Sequence, residues 1–308
     1  MGTQYSTDVR FNHNMGLLET LSFQGEGVGA ALYVAAIVTG YLPIAVLGIA
    51  FVLGAVVVLR AHLGQPTRGW RALSRLRTAW VSRGTLVISG FVGFSMLAVA
   101  AVYIGFLRPF QTLLATAALV FAVPVIVYAG MLLRSMRAIR LWRGLSVPLS
   151  FSAHSAATAL AFACLLVPRL AAESTSMQWL RPSAIGALAI AAVMSVVHLL
   201  LIEPSAGTQA SLRRLLQGDL RGKFIGGAGM IGLLIPLIGL MGSWLLSAGL
   251  GTEMTRAMLA VVALLRLYGD FAYRYSIVLA GAYEPIFPAQ PNRPFPDHQR
   301  SEVVIRGA

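Results

Sequence analysis

Eight stretches of this chain are apolar for about 20 residues each, the length that spans the hydrocarbon core of a bilayer. They lie near residues 22–40, 42–61, 84–106, 110–133, 147–167, 182–202, 224–247 and 254–280. A segment in lipid must satisfy its backbone polar groups internally, which a helix does. The expected fold is therefore all-α and integral to the membrane, an eight-transmembrane-helix bundle. Of the 308 residues, 57% are hydrophobic and 11% charged, and the mean hydropathy is +0.76. A soluble domain carries about 25% charge, so a water-soluble globule is excluded, as is a disordered chain.

Three segments follow: residues 1–21 as an N-terminal segment, 22–282 as the membrane domain, and 283–308 as a tail. The first two spans meet at a tight turn, Gly40-Tyr41-Leu42-Pro43. The tail opens with Glu284-Pro285-Ile286-Phe287-Pro288 and reads as an extended arm. The start, Met1-Gly2-Thr3-Gln4-Tyr5-Ser6, fits the myristoylation pattern. Eight spans leave a lipid anchor nothing to add, so that reading is set aside. No secretory signal is expected, because Asp8 and Glu19 stand where a basic region should be.

The net charge is +13, with a single lysine, Lys223. The loops after spans 2, 4 and 6 hold fourteen basic residues, including Arg60, Arg68, Arg83, Arg134, Arg143 and Arg214, against four on the other side. Basic residues stay in the cytoplasm, which puts these loops and both termini there. The arginines serve as topology determinants and headgroup contacts, or as a docking face that grips carboxylates. Cys164 is the only cysteine. An iron–sulfur cluster needs about four thiolates, so any such cluster belongs to another subunit. No metal site is expected in this chain.

Ionisable residues within spans cost several kcal/mol and usually face a cavity or a partner. Span 8 carries Arg266, Asp270 and Arg274 at i, i+4 and i+8, which makes one stripe on one helical face. The stripe is either an ion ladder that fixes packing or a carboxylate beside a proton-coupled site, with Tyr268, Tyr273 and Tyr275 adding hydroxyls. A transporter or channel moving anions or protons along it is an alternative, though the chain has no repeat pair. His154 and His198 fall at similar depth. They could hold a haem b, which needs two ligands on facing helices, or donate hydrogen bonds to backbone or solvent.

The loop after span 2 is the most specific text. It reads His62-Leu63-Gly64-Gln65-Pro66-Thr67-Arg68, and Ser82-Arg83 then opens the next span. This pattern resembles the membrane-anchor subunits of dimethyl sulfoxide reductase. It is similar to the anchors of sulfite dehydrogenases, and more distantly to those of polysulfide reductases. Phe23-Gln24-Gly25, Trp142 through Pro148, and Leu267-Tyr268-Gly269-Asp270 resemble other family positions, and the family also has eight spans. The resemblance implies a bacterial inner-membrane anchor that binds a quinone, menaquinone or ubiquinone. It implies an iron–sulfur partner wired to a molybdopterin catalytic subunit.

By this resemblance His62 is the quinone-site histidine. Gln24, Gly64, Pro66, Arg68, Ser82, Arg83 and Tyr268 contribute to the quinone site and the partner interface. The family's second functional position, a glutamate, falls on Gly84 here. Asp270 is the first candidate to supply the missing carboxylate as proton relay, and Glu26 the second. Cytoplasmic partner subunits would favour sulfite oxidation with quinone reduction.

Overall fold

A computed structural model describes residues 10–12, 15–62, 76–77, 79–167, 178–246 and 251–283. Gly64, Pro66, Arg68 and the tail from residue 284 lie outside the described residues, as does the side chain of His62. Nine helices run in chain order among the described residues: α1 (Leu17–Thr39), α2 (Leu42–His62), α3 (Trp80–Tyr103), α4 (Gln111–Ser135), α5 (Ser146–Leu166), α6 (Leu180–Leu200), α7 (Ala206–Leu216), α8 (Gly222–Leu245) and α9 (Thr252–Ala280). Seven of them, α1 to α6 and α8, are long and apolar enough to cross a membrane. With 29 residues, α9 spans about 44 Å. Its composition sets it apart, because it carries Glu253, Arg256, Arg266, Asp270 and Arg274.

The sequence reading places α1 five residues late, since the helix already begins at Leu17. It also misses α7, an 11-residue helix too short to span lipid. Ser205 caps α7 by accepting a hydrogen bond from Thr208 N at 3.1 Å, the standard way to satisfy an orphan first-turn donor. A two-residue strand pairing is also unforeseen. β1 (Arg10–Phe11) lies antiparallel to β2 (Ala282–Tyr283), with Arg10 opposite Tyr283. The first and last described segments therefore meet at one end of the bundle.

That basic end is knitted by side chains. The indole of Trp142 donates to Ile277 O at 2.9 Å. Arg214 forks onto Asp219, with Nε to Oδ1 at 2.8 Å and Nη2 to Oδ2 at 2.9 Å. Its remaining nitrogen donates to Leu279 O at 2.7 Å, and its guanidinium lies 4.6 Å from the Phe11 ring. These bonds hold the Asp219 carboxyl below its ordinary range.

Helix packing inside lipid relies on small residues that let backbones approach. A Cβ at Gly29 would sit 2.5 Å from Gly48 O, which fixes the seam between α1 and α2. A Cβ at Gly269 would overlap the Cα of Gly232, which fixes the seam between α8 and α9. The first part of α8, Gly222–Leu234, is wound as a π-helix. Ile235 N donates five residues back, to Met230 O.

Gly269→Val should therefore force α8 and α9 apart and cost about 1–3 kcal/mol. Gly186→Ala, where a Cβ meets open space, should leave stability equal or slightly higher. Melting of the detergent-solubilised variants checks this, and equal melting of both would contradict the close α8–α9 seam.

Candidate functional site

The stripe read from the sequence is the buried centre of the bundle. Arg266, Asp270 and Arg274 are each 0% exposed. Asp270 does not choose freely between its two neighbours. Both of its oxygens lie 3.1 Å from Arg274 Nε. The rest of the Arg274 guanidinium binds two further helices. It donates to Phe23 O on α1 at 3.3 Å, and to Phe151 O at 2.9 Å and Ser155 Oγ at 2.6 Å on α5. Gly27 of α1 makes room for it, because a Cβ there would lie 3.3 Å from Arg274 Nη2.

Arg266 turns away from Asp270. Its Nη1 donates to Gly232 O on α8 at 3.3 Å. Its Nη2 contacts His154 Nδ1 at 2.8 Å and His154 O at 3.0 Å. A guanidinium nitrogen can only donate, so Nδ1 must accept, and the imidazole is the neutral tautomer protonated on Nε2. That proton goes to Ser195 Oγ at 2.8 Å, and the serine in turn donates to Ala191 O at 2.8 Å. The ring also stacks on Tyr273, with centroids 4.0 Å apart. Both nitrogens of His154 are thus engaged. The His198 ring bonds Ser146 Oγ through Nδ1 at 2.9 Å and leaves Nε2 unpartnered. A histidine pair for a haem would have one open nitrogen, not two.

A second acid borders the stripe. Glu26 on α1 is 1% exposed. One of its oxygens accepts from Ser22 Oγ at 3.3 Å, and the other has no hydrogen-bond partner. The charge of Arg274 acts on it. Two guanidinium groups and one carboxylate leave the stripe at +1, and an ionised Glu26 would bring the group to zero. Ser22 also donates to Ala55 O on α2 at 3.3 Å, two helical turns before His62. Gln24, on the same helix, donates to Leu267 O at 2.7 Å.

The remaining sequence candidates scatter. Tyr268 is 47% exposed and faces Gly227 of α8, outside the buried network. Ser82 is buried at the start of α3. Arg83 is tied to Leu76 O and Arg77 O at 3.1 and 2.8 Å and lies 4.9 Å from the Trp80 ring. At Gly84 the space for a side chain is filled by the ring of Tyr128, which a Cβ there would overlap. Tyr128 in turn feels the charge of Glu26. Sequence reasoning did not single out Tyr128, Ser155 or Ser195, since hydroxyls in an apolar run carry no periodic signal. Among the described residues, no three His, Cys, Asp or Glu side chains gather as a metal site.

Arg274→Met would strand Asp270 in the core and should cost about 3–5 kcal/mol. Adding Asp270→Leu should recover a large part of the loss, because it removes the carboxylate that the loss of Arg274 strands. Detergent melting of the two single variants and the double variant measures the coupling. Additive losses would contradict the pairing.

No curated protein matches the chain. A family model described as "Polysulphide reductase, NrfD" matches residues 30–285, which takes in all the helices from α2 to α9 and the last ten residues of α1. With seven apolar helices beneath that match, the chain is a multi-pass membrane protein that belongs to the polysulphide reductase NrfD family.

Proposed function

We propose that this chain is the quinone-reactive membrane anchor of a molybdopterin and iron–sulfur oxidoreductase, passing electrons between the membrane quinone pool and a docked iron–sulfur subunit. Family members are generally quinone-interacting anchors of oxidoreductase complexes. The observation that carries the reading is Glu26, a buried carboxylate with one unpartnered oxygen, on the α1–α2 seam that ends at His62. A buried acid with a free oxygen is costly as packing alone, and suits a group that takes and gives a proton.

In this reading α9 is an eighth span, its charges tolerated because α1, α5 and α8 satisfy them. Both termini are cytoplasmic, as are the basic loops, by the excess of arginine on that side. The β1–β2 pairing, which brings residues 10 and 283 together, supports a common side. The membrane is the bacterial inner membrane.

The quinone would supply the two-electron, two-proton chemistry. His62 holds its headgroup by a hydrogen bond, with Gln24 fixing α1 against α9 beside it. Glu26 exchanges the proton, which shifts the buried group between +1 and zero. Asp270, clamped on both oxygens by Arg274, offsets one of the two arginines, so the local field stays positive by one charge. Tyr128 occupies the space over Gly84 and offers a hydroxyl between the family's missing acid and Glu26. Gly64, Pro66, Arg68, Ser82 and Arg83 shape the loop that meets the iron–sulfur subunit. Sulfite oxidation with quinone reduction fits cytoplasmic partner subunits.

His62→Ala and Glu26→Gln should each lower quinone-coupled turnover of the whole complex by at least about 100-fold, the usual worth of a positioned acid or base. Turnover with an artificial dye that bypasses the anchor should persist. Equal loss of both activities would point to assembly instead and would overturn the assignment.

A further inference from the structure

At the basic end, outside the buried site, the feet of α3 and α4 enclose a cavity of about 670 Å³. It is lined by Trp80, Met131, Arg134, Ser135, Arg137 and Arg143. Three arginines line it, and among the described residues no acid does. Each is held differently. Arg134 sits in the last turn of α4, and its Nε donates to Arg143 O at 3.2 Å. Arg143 reaches Glu203 at 3.4 Å, an exposed pair of little energetic weight. Arg137 is exposed, and its guanidinium has no partner among the described residues.

The helix end alone explains one of the three. A cation in the last turn offsets the negative pole of a helix, which accounts for Arg134. Arg137 and Arg143 lie beyond the helix, so that account does not reach them. The cavity also stands at the rim of the bundle. α3 packs chiefly on α4, and its outer face is apolar and exposed at Val81, Leu86, Met96 and Leu97. Such a face meets acyl chains. Trp80 marks the interface level at its foot, where an indole can be half in lipid and half in water.

We propose that this cavity binds the headgroup of an anionic phospholipid, its phosphate oxygens gripped by Arg134 and Arg137 with Arg143 beside them. The planar guanidinium fork matches phosphate geometry. Met131 and the apolar outer face of α3 give the glycerol and acyl chains a continuous path away from the headgroup. A zwitterionic headgroup carries its own cation into a ring of three guanidinium groups, so it binds less well.

The test is native mass spectrometry of the full chain released from nanodiscs of mixed phosphatidylglycerol and phosphatidylcholine. Phosphatidylglycerol should be retained preferentially, by roughly fivefold for each arginine that faces it. Arg134→Gln with Arg137→Gln should abolish the preference, and Arg134→Lys with Arg137→Lys should keep most of it. Arg137→Gln alone, which breaks no hydrogen bond of the described fold, should weaken it without lowering the melting temperature in neutral detergent. Equal retention of the two lipids would overturn the proposal. So would a preference indifferent to the glutamine variants. Full displacement by inorganic phosphate would assign the site to a soluble anion and overturn the lipid source. Unchanged lipid binding with loss of a co-purifying polypeptide would make the cavity a protein-docking site, which also overturns it.

Discussion

A guanidinium group cannot be left unpaired in the middle of a bilayer, and this fold is arranged around two of them. Arg274 is satisfied by Asp270 on its own helix, by backbone of α1, and by backbone and a hydroxyl of α5. Arg266 is held by His154 and by the Gly232 carbonyl of α8. Every bond except the Arg274–Asp270 pair crosses to another helix, so the charged stripe sets which helices surround α9. The glycines follow from the same demand. Gly27, Gly232 and Gly269 bring backbones close enough for guanidinium groups to reach carbonyls. A charge that would expel α9 from lipid becomes the reason its neighbours pack on it.

The same constraint distinguishes the two buried acids. Asp270 and Glu26 are equally buried, but only one of them has an oxygen without a partner. Asp270 is needed where it is, as an anion between two cations. Glu26 is not needed for packing in that sense. It stands one helix away, within the field of Arg274, on the seam that leads to His62. The proposed division, with Asp270 holding the field and Glu26 moving the proton, rests on this difference in hydrogen bonding.

Much of this was legible in the sequence. Runs of about 20 apolar residues located each long helix to within a few positions, because lipid thickness fixes their length. The i, i+4, i+8 spacing in α9 placed three charges on one face before any neighbour was known. What could not be read was which partner each charge would take. Asp270 could pair with Arg266 or Arg274, and it pairs with Arg274 while Arg266 reaches His154 and Gly232 O on different helices. His154 looked like a ligand by depth alone, yet both of its nitrogens are used. α7 and the β1–β2 pair escaped notice because neither has the length of a span, and the strand pair joins residues more than 270 positions apart. The Tyr128 ring over Gly84 is a long-range fit that leaves no local pattern.

The central claim, that the chain anchors a quinone-linked molybdenum enzyme, is tested most directly by what travels with it. The tagged chain should be purified at natural expression level in mild detergent, with metal analysis and protein mass spectrometry of the product. Iron, molybdenum and two larger polypeptides in fixed proportion to the chain are the predicted result. A lone, metal-free chain recovered intact from its own membrane would contradict the account.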